Sequence, residues 1–256
     1  MDKRIGAQFY TIRDYIQNIE DFDKSCKKIA QIGYKTVQIS GTPLKAKEMR
    51  EVLDKYNLQA LTSHRSFTDF QNNLDEIIDY NKTIGADLCG VGIMPGECAE
   101  SIDTLKSFIK DANKICETLK KENMFFGYHN HSMEFRKFDN KNIIDFLISE
   151  TDPEIFNFIV DVYWVQVGGK NPSEFINHLG KRAMAIHFKD YIVNDKEWGR
   201  AEMTEIGNGN LDWDSIIKAC DNSGARWAFV EQDVCPADPF DSLKISYDYL
   251  VKKGFN

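Results

Sequence analysis

The 256-residue chain has no apolar run near the roughly 20 residues that a membrane-spanning helix needs. Its start, MDKRIGAQFYTIR, lacks the apolar core of a signal peptide and reads as a first strand. The six cysteines (Cys26, Cys89, Cys98, Cys116, Cys220 and Cys235) include no CxxC pair. They read as reduced thiols of a cytoplasmic protein, with Cys26, Cys116 and Cys220 on helical patterns as core residues. Basic residues are in deficit, 32 Lys and Arg against 40 Asp and Glu, a net charge of -8. A phosphate backbone normally needs a basic face, so nucleic acid is not an expected partner. The segment IGNGN lacks the Lys-Ser/Thr of a P-loop and reads as a turn, with a phosphate cradle as the lesser alternative. No proline-rich linker, charge block or low-complexity segment divides the chain, so residues 1–256 read as one domain.

What is present is an alternation of β-rich runs and amphipathic stretches. RIGAQFY, KTVQIS, LQALTSH, LCGVGI, MFFGYHNH, FNFIVDV, AMAIHFK and WAFVEQD are eight candidate strands, the number a closed (β/α)8 barrel needs. Several are nearly continuous apolar runs, as expected of strands buried on both faces. Phe22–Ala30 has helical spacing and ends near Gly33, and AKEMREVLDKYN, SIDTLKSFIKDANKICETLKKEN, NIIDFLIS, WDSIIKACDNSG and PFDSLKISYDYLVKKG repeat the pattern. Asp212 is placed to cap the helix beginning at Trp213. The longest connection, between Asp190 and Leu211, has the length of a binding loop.

Parallel strands of such a barrel bring their C-terminal ends to one mouth. Asp161 follows FIV, His187 follows AMAI and Glu231 follows AFV, while GYHNHSMEF supplies His129, His131 and Glu134. Carboxylates and imidazoles meeting there read as a divalent-metal site. Lys189 shares the strand face of His187, and an inward ammonium needs a charged partner. Gln8, Tyr10 and Arg13 close the first strand, Gln38 the second, and His64 and Arg65 the third. Together they would line the mouth with donors for a polyol, and Tyr163, Trp164 and Trp198 offer flat surfaces for a sugar ring.

With these segments in view, the chain resembles the xylose isomerase-like barrel superfamily, in its sugar phosphate isomerase/epimerase branch. AQFYTIR, TSH, YHNHSMEF, VDVYWVQVGGKNP, HFKD, IGNGNLDW and FVEQD carry the likeness over essentially the whole length. The resemblance implies a TIM barrel with a divalent ion (manganese first, with magnesium, cobalt or zinc as alternatives) held at the ends of strands five to eight. Asp161, His187 and Glu231 match three of its ligands. Where ketose epimerases of the superfamily have a fifth-strand glutamate, this chain has His129. The fourth ligand is therefore His129 or Glu134, and Glu134 is the expected one, because three carboxylates and one imidazole suit a manganese-type ion. Trp164 stands where many relatives have a histidine.

The implied activity is that of a sugar isomerase or epimerase. A base, Glu231 or His131, takes the proton beside a carbonyl to give an enediolate, and Lys189 steadies the oxyanion. Gln8, Tyr10, Arg13, His64, His129 and Trp164 would bind the substrate, with His64 and Arg13 orienting hydroxyls. The alternative is a lyase that shares this half-reaction and then eliminates a β-substituent from a keto-sugar, keto-glycoside or keto-inositol. Phosphodiester cleavage fits poorly with five histidines and an acidic chain, and a binding-only barrel fits poorly with the ligand set. A small-molecule sugar or sugar derivative is the expected partner. Nucleic acid and membrane are not, and a homo-oligomer is left open.

Overall fold

The computed structural model describes residues 1–138, 140–195 and 199–256. Trp198 lies outside them. Eight parallel strands close into a barrel: β1 (Gly6–Gln8), β2 (Thr36–Ile39), β3 (Gln59–Arg65), β4 (Leu88–Val91), β5 (Phe125–His129), β6 (Phe156–Asp161), β7 (Ala183–Phe188) and β8 (Trp227–Val230). Each pairs with its sequence neighbour, and β1 closes on β8 in the register Gly6↔Phe229 and Ala7↔Val230. Each expected strand segment overlaps one of these strands, and helices lie between them, so the chain is a single (β/α)8 TIM barrel.

The apolar runs explain the two-layer packing. β2, β4, β6 and β7 are buried at every position. One face packs on the ring of helices and the other fills the barrel. The inner filling is a small cluster, Leu61, Leu88, Ile159, Met184, Ala185 and Phe229. It forms the apolar floor on which the polar strand ends stand. Gly90 and Gly127 leave room for it. A Cβ on Gly127 would meet Ile159 at 2.8 Å, and one on Gly90 would meet the His64 ring at 2.5 Å. The missing side chain at position 90 thus fixes where His64 lies.

The expected helices form at Ile19–Ile32, Ala46–Lys55, Ile102–Lys121, Ile143–Glu150, Trp213–Ser223 and Pro239–Lys252. Asp212 caps Trp213–Ser223 by accepting the Ser215 N–H at 3.1 Å. Four further helices escaped the sequence reading: Leu74–Ile84, Phe67–Asn72, Val162–Val167 and Pro172–Leu179. The first carried a usable signal, because Leu74, Ile77, Ile78 and Ile84 recur at helical spacing. The first strand ends at Gln8, and Phe9–Tyr15 continues as a 3-10 helix. Cys26, Cys116 and Cys220 are buried with their thiols pushed up by burial, as core residues should be. Among the described residues, no helix is long and apolar enough to cross a membrane.

The long connection after β7 is a hairpin, Asp190–Val193 paired antiparallel with Ala201–Thr204, followed by the glycine loop. Asp190 is fully buried and holds this loop. Its carboxylate accepts the N–H groups of Tyr191, Gly207, Gly209 and Leu211 and the indole N–H of Trp213. The amides of IGNGN therefore face an anion supplied by the chain itself, which agrees with its reading as a turn. Asp190→Asn is expected to lose about 3 kcal/mol or more in urea unfolding, since several charge-assisted bonds weaken at once. Hydrogen exchange at the Gly207 and Gly209 amides should accelerate; unchanged protection there would refute this account.

Candidate active site

The C-terminal ends of the strands converge as the periodicity demands. At the centre is Lys189, just beyond β7 and 1% exposed. Its ammonium donates to Asp161 Oδ2 at 3.2 Å, Glu231 Oε2 at 3.2 Å and Asp233 Oδ2 at 2.8 Å. Three carboxylates around one cation answer the need of a buried ammonium for charged partners. Asp233, the last residue of the WAFVEQD segment, is a full member of the cluster.

Asp161 ends β6 with no exposed surface. Its other oxygen caps helix Val162–Val167 through the Trp164 N–H at 3.0 Å. Asn130 clamps its backbone from β5, accepting the Asp161 N–H at 3.0 Å and donating to its carbonyl. The middle residue of HNH is thus a brace, turned away from its two histidines by the period of two. Burial raises the Asp161 carboxyl to about 7, opposed by Lys189 and helped by Glu231. Glu231 behaves oppositely. Burial alone would raise it, but Lys189 and His187 together hold it well below the carboxylate range. Both contact the same ammonium, and only Glu231 also has the imidazole. The two acids titrate as a unit, with the negative charge resting on Glu231.

His187 points Nδ1 at Glu231 Oε2 (2.9 Å) and Nε2 at Gln38 Oε1 (2.8 Å). A proton on Nδ1 donated to Glu231 leaves Nε2 as the nitrogen with a lone pair. Turning the Gln38 amide over would bring its unpartnered Nε2 to that nitrogen as a donor. The rings of His64, His129 and His187 lie close together, with His129 4.5 Å from His187 and 5.3 Å from His64. Burial pushes His64 down to about 3 and His131 down to about 4, and holds His129 well below its ordinary value; His187 adds to the effect at His64 and His129, and Lys189 at His131. All three are neutral imidazoles at pH 7.

Four side chains, His129, Asp161, His187 and Glu231, bring ligand atoms within 4.8 Å of one another. His64 forms an overlapping trio with His129 and His187. The donors fit a divalent ion: two buried carboxylates and two imidazoles, one of which, His129, has an Nδ1 with no hydrogen-bond partner. Glu134 does not join them, contrary to expectation. It is fully buried in the 3-10 turn after β5. One of its oxygens accepts the Tyr128 hydroxyl at 2.6 Å and the other the His131 N–H at 2.8 Å. His129 takes the fourth place, and Glu134 braces the backbone of His131.

Burial raises the Glu134 carboxyl to about 7. Because the folded value exceeds the unfolded one, its stabilising share is complete below about pH 4.5 and lost as pH climbs through 7. The stability advantage of wild type over Glu134→Gln should therefore shrink by about 2–3 kcal/mol between pH 5 and pH 8. Urea melts of both proteins at the two pH values test this. A constant difference would mean the carboxyl is not perturbed.

The cluster opens into a cavity of about 370 Å³ lined by Gln8, Tyr10, His64, His129, His131, Lys189 and Glu231. Gln8 Oε1 accepts the Tyr10 N–H, which leaves its amide Nε2 without a partner and free for a ligand. Trp164 packs beside His131, ring centres 5.4 Å apart, with Lys189 Nζ 5.3 Å from its ring. Arg13 does not line the cavity. Its guanidinium stacks on Tyr10 and donates to the carbonyls of Tyr10 and Asp233, so it ties the first and last strand ends together and does not orient hydroxyls.

Residues 26–250 match the xylose isomerase-like TIM barrel family. The chain belongs to that family. Proteins similar to this chain include an inosose dehydratase of Clostridium botulinum, 22% identical over 269 residues, covering 91% of this chain and 90% of that one. An inosose dehydratase of Lactiplantibacillus plantarum is 26% identical over 156 residues. That match spans 55% of this chain and about half, 51%, of the relative. Among solved structures, a sugar phosphate isomerase/epimerase from Parabacteroides distasonis superposes with a TM-score of 0.74 at 23% identity, covering 97% and 93% of the two chains. A probable 3-DHS dehydratase from Bacillus anthracis gives 0.76 at 15%, covering 98% and 99%. At these identities the structural likeness establishes the fold, and this barrel family houses more than one chemistry.

Proposed function

We propose that this barrel enolises a small polyhydroxylated ketone and then expels a β-substituent, as a metal-dependent dehydratase or related lyase. The observation that carries the reading is the buried Lys189 cluster, with neutral imidazoles beside it, opening into a cavity of sugar size. A divalent ion held by His129, Asp161, His187 and Glu231 would supply Lewis acidity toward the ketone oxygen.

The chain's own groups divide the remaining work. Lys189 presents a fixed positive charge where oxyanion character develops. His131 is the better of the two expected bases. Glu231 Oε2 is already shared by Lys189 and His187, whereas His131 lines the cavity and its Nδ1 has no partner. Neutral His131 takes the proton from the carbon beside the carbonyl, leaving the electron pair in an enolate. As the enolate collapses, the bond from the β-carbon to its oxygen breaks, and the imidazolium returns the proton to the departing oxygen. Water or an alcohol leaves, and His131 is neutral again. The gain typical of such general acid–base groups is about 10²–10⁴. His131→Gln is expected to cost that factor in turnover while leaving bound metal unchanged. Full turnover in this variant would transfer the base role to Glu231.

Two observations favour elimination. A relative matched over nine-tenths of both chains is an inosose dehydratase. The fifth-strand position that carries an acid/base glutamate in the ketose epimerases resembled here is His129. The isomerase reading keeps one support: His64, a second neutral imidazole lining the cavity, could return the proton at another position. Proton NMR in D₂O with magnesium- or zinc-loaded protein and a panel of ketoses, inososes and 3-keto-sugars tests both. Loss of water or alcohol with a new alkene signal supports the lyase. Deuterium incorporation with every substituent retained would replace it with an isomerase. No exchange in a protein of verified metal content would refute both.

A further inference from the structure

Arg65 ends β3 at the rim of the same mouth, and its chemistry is unused by the reaction above. Among the described residues its guanidinium makes no hydrogen bond and no ion pair. Its directed contact is with Tyr80, whose ring centre lies 3.9 Å away. Stacking of this kind fixes the plane of a guanidinium and leaves its edge donors free. The chain as a whole carries excess acid, with a net charge of -8, so a cation left unpaired beside a reaction cavity calls for a partner.

The space around Arg65 indicates which partner. It borders the main cavity and also a neighbouring cleft of about 290 Å³, and the two share Ser40, His64 and Arg65. Among the described residues no carboxylate lines that cleft, and Arg65 is its only cation. Its other polar groups are mostly committed. The Thr42 hydroxyl donates to the Ile16 carbonyl, and the Gln17 amide donates to the Arg13 and Gly41 carbonyls. Arg65, the Ser40 hydroxyl and the unpartnered Nε2 of the His64 ring remain. Two acids, Asp69 and Glu76, share a third cavity with Arg65, but neither pairs with it.

We propose that Arg65, stacked on Tyr80 and opening into this carboxylate-free cleft, is an oxyanion subsite, so that the natural substrate is a polyhydroxy ketone bearing a carboxylate or phosphate group. This rests on the ketone chemistry proposed above and adds the charge of the substrate to it. A planar guanidinium matches both anions through paired N–H···O bonds, which a lysine cannot reproduce.

The test uses three ketoses that differ at one carbon: fructose, fructose 6-phosphate and fructuronate. Deuterium exchange or elimination is followed for the metal-loaded wild type, Arg65→Gln and Arg65→Lys. The expected result is a KM for one or both anionic ketoses about 10- to 100-fold below that for fructose. That ratio should collapse toward one in Arg65→Gln and be only partly restored in Arg65→Lys. The lower of the two anionic KM values tells phosphate from carboxylate. Equal KM values for all three ketoses, or a preference that survives Arg65→Gln, would overturn the subsite and leave the enolisation chemistry standing. Calorimetric titration of inorganic phosphate into wild type and Arg65→Gln separates the two ideas if no ketose reacts. Weaker binding by the variant supports the subsite without the reaction, and equal binding overturns it.

Discussion

Replacing Lys189 with methionine is expected to cost about 3–5 kcal/mol of folding stability at pH 7, the range for breaking a buried ion pair from one side. The side chain is of similar length, so packing changes little. What changes is charge: Asp161, Glu231 and Asp233 lose the ammonium that contacts all three. Some relief will come by proton uptake, chiefly at Asp161, whose carboxyl already sits near 7. The loss should therefore be smaller at pH 5 than at pH 8. Turnover should fall by about 10²–10³, as for removal of an oxyanion-stabilising donor. A divalent ion added to the variant should restore part of its stability, since a second cation can answer the same carboxylates. Urea titrations at both pH values, with and without the ion, measure this. A variant as stable as wild type at pH 8 would show that the carboxylates do not depend on Lys189.

Asp161→Ala should abolish metal binding at micromolar ion and, with it, activity. The expected loss of affinity exceeds the ~10- to 100-fold typical of substitutions one layer further out. Asp161 offers a carboxylate to the four-residue set, caps the helix that carries Trp164, and is held by Asn130, so its position is fixed from both sides. Asn130→Ala supplies the comparison. It keeps the ligand and removes the brace, and should show only the milder loss. Metal content after dialysis and binding titrations read both variants. If Asp161→Ala keeps full occupancy and turnover, the site has been assigned to the wrong residues.

The barrel was legible because burial on both faces writes itself as apolar runs, and eight of them were present. Asp161, His187, Lys189 and Glu231 were legible for the same reason: a polar group directly after such a run has nowhere to go but the mouth. Glu134 misled because strand periodicity fails beyond His129, where the chain turns into a 3-10 helix and carries the carboxylate under β5 to Tyr128. Donor preference by ion type could not foresee that. Arg13 misled for a related reason, since it lies past Gln8 in a 3-10 segment. Asn130 and Asp233 were visible as letters, but their partners come from other strands, and one-dimensional spacing does not report those contacts.

Lys189 and Asp190 are consecutive residues just beyond β7, and their side chains serve different clusters. The first gathers the acids of the reaction cavity; the second gathers five donors from the glycine loop and its flanks. One peptide unit is thus the fulcrum between the two. The hairpin, although it contributes no group to the cluster, is geared to it. A substitution at Gly209, where a Cβ would meet the Asp190 carboxylate at 2.3 Å, presses on the residue that shares its peptide bond with Lys189.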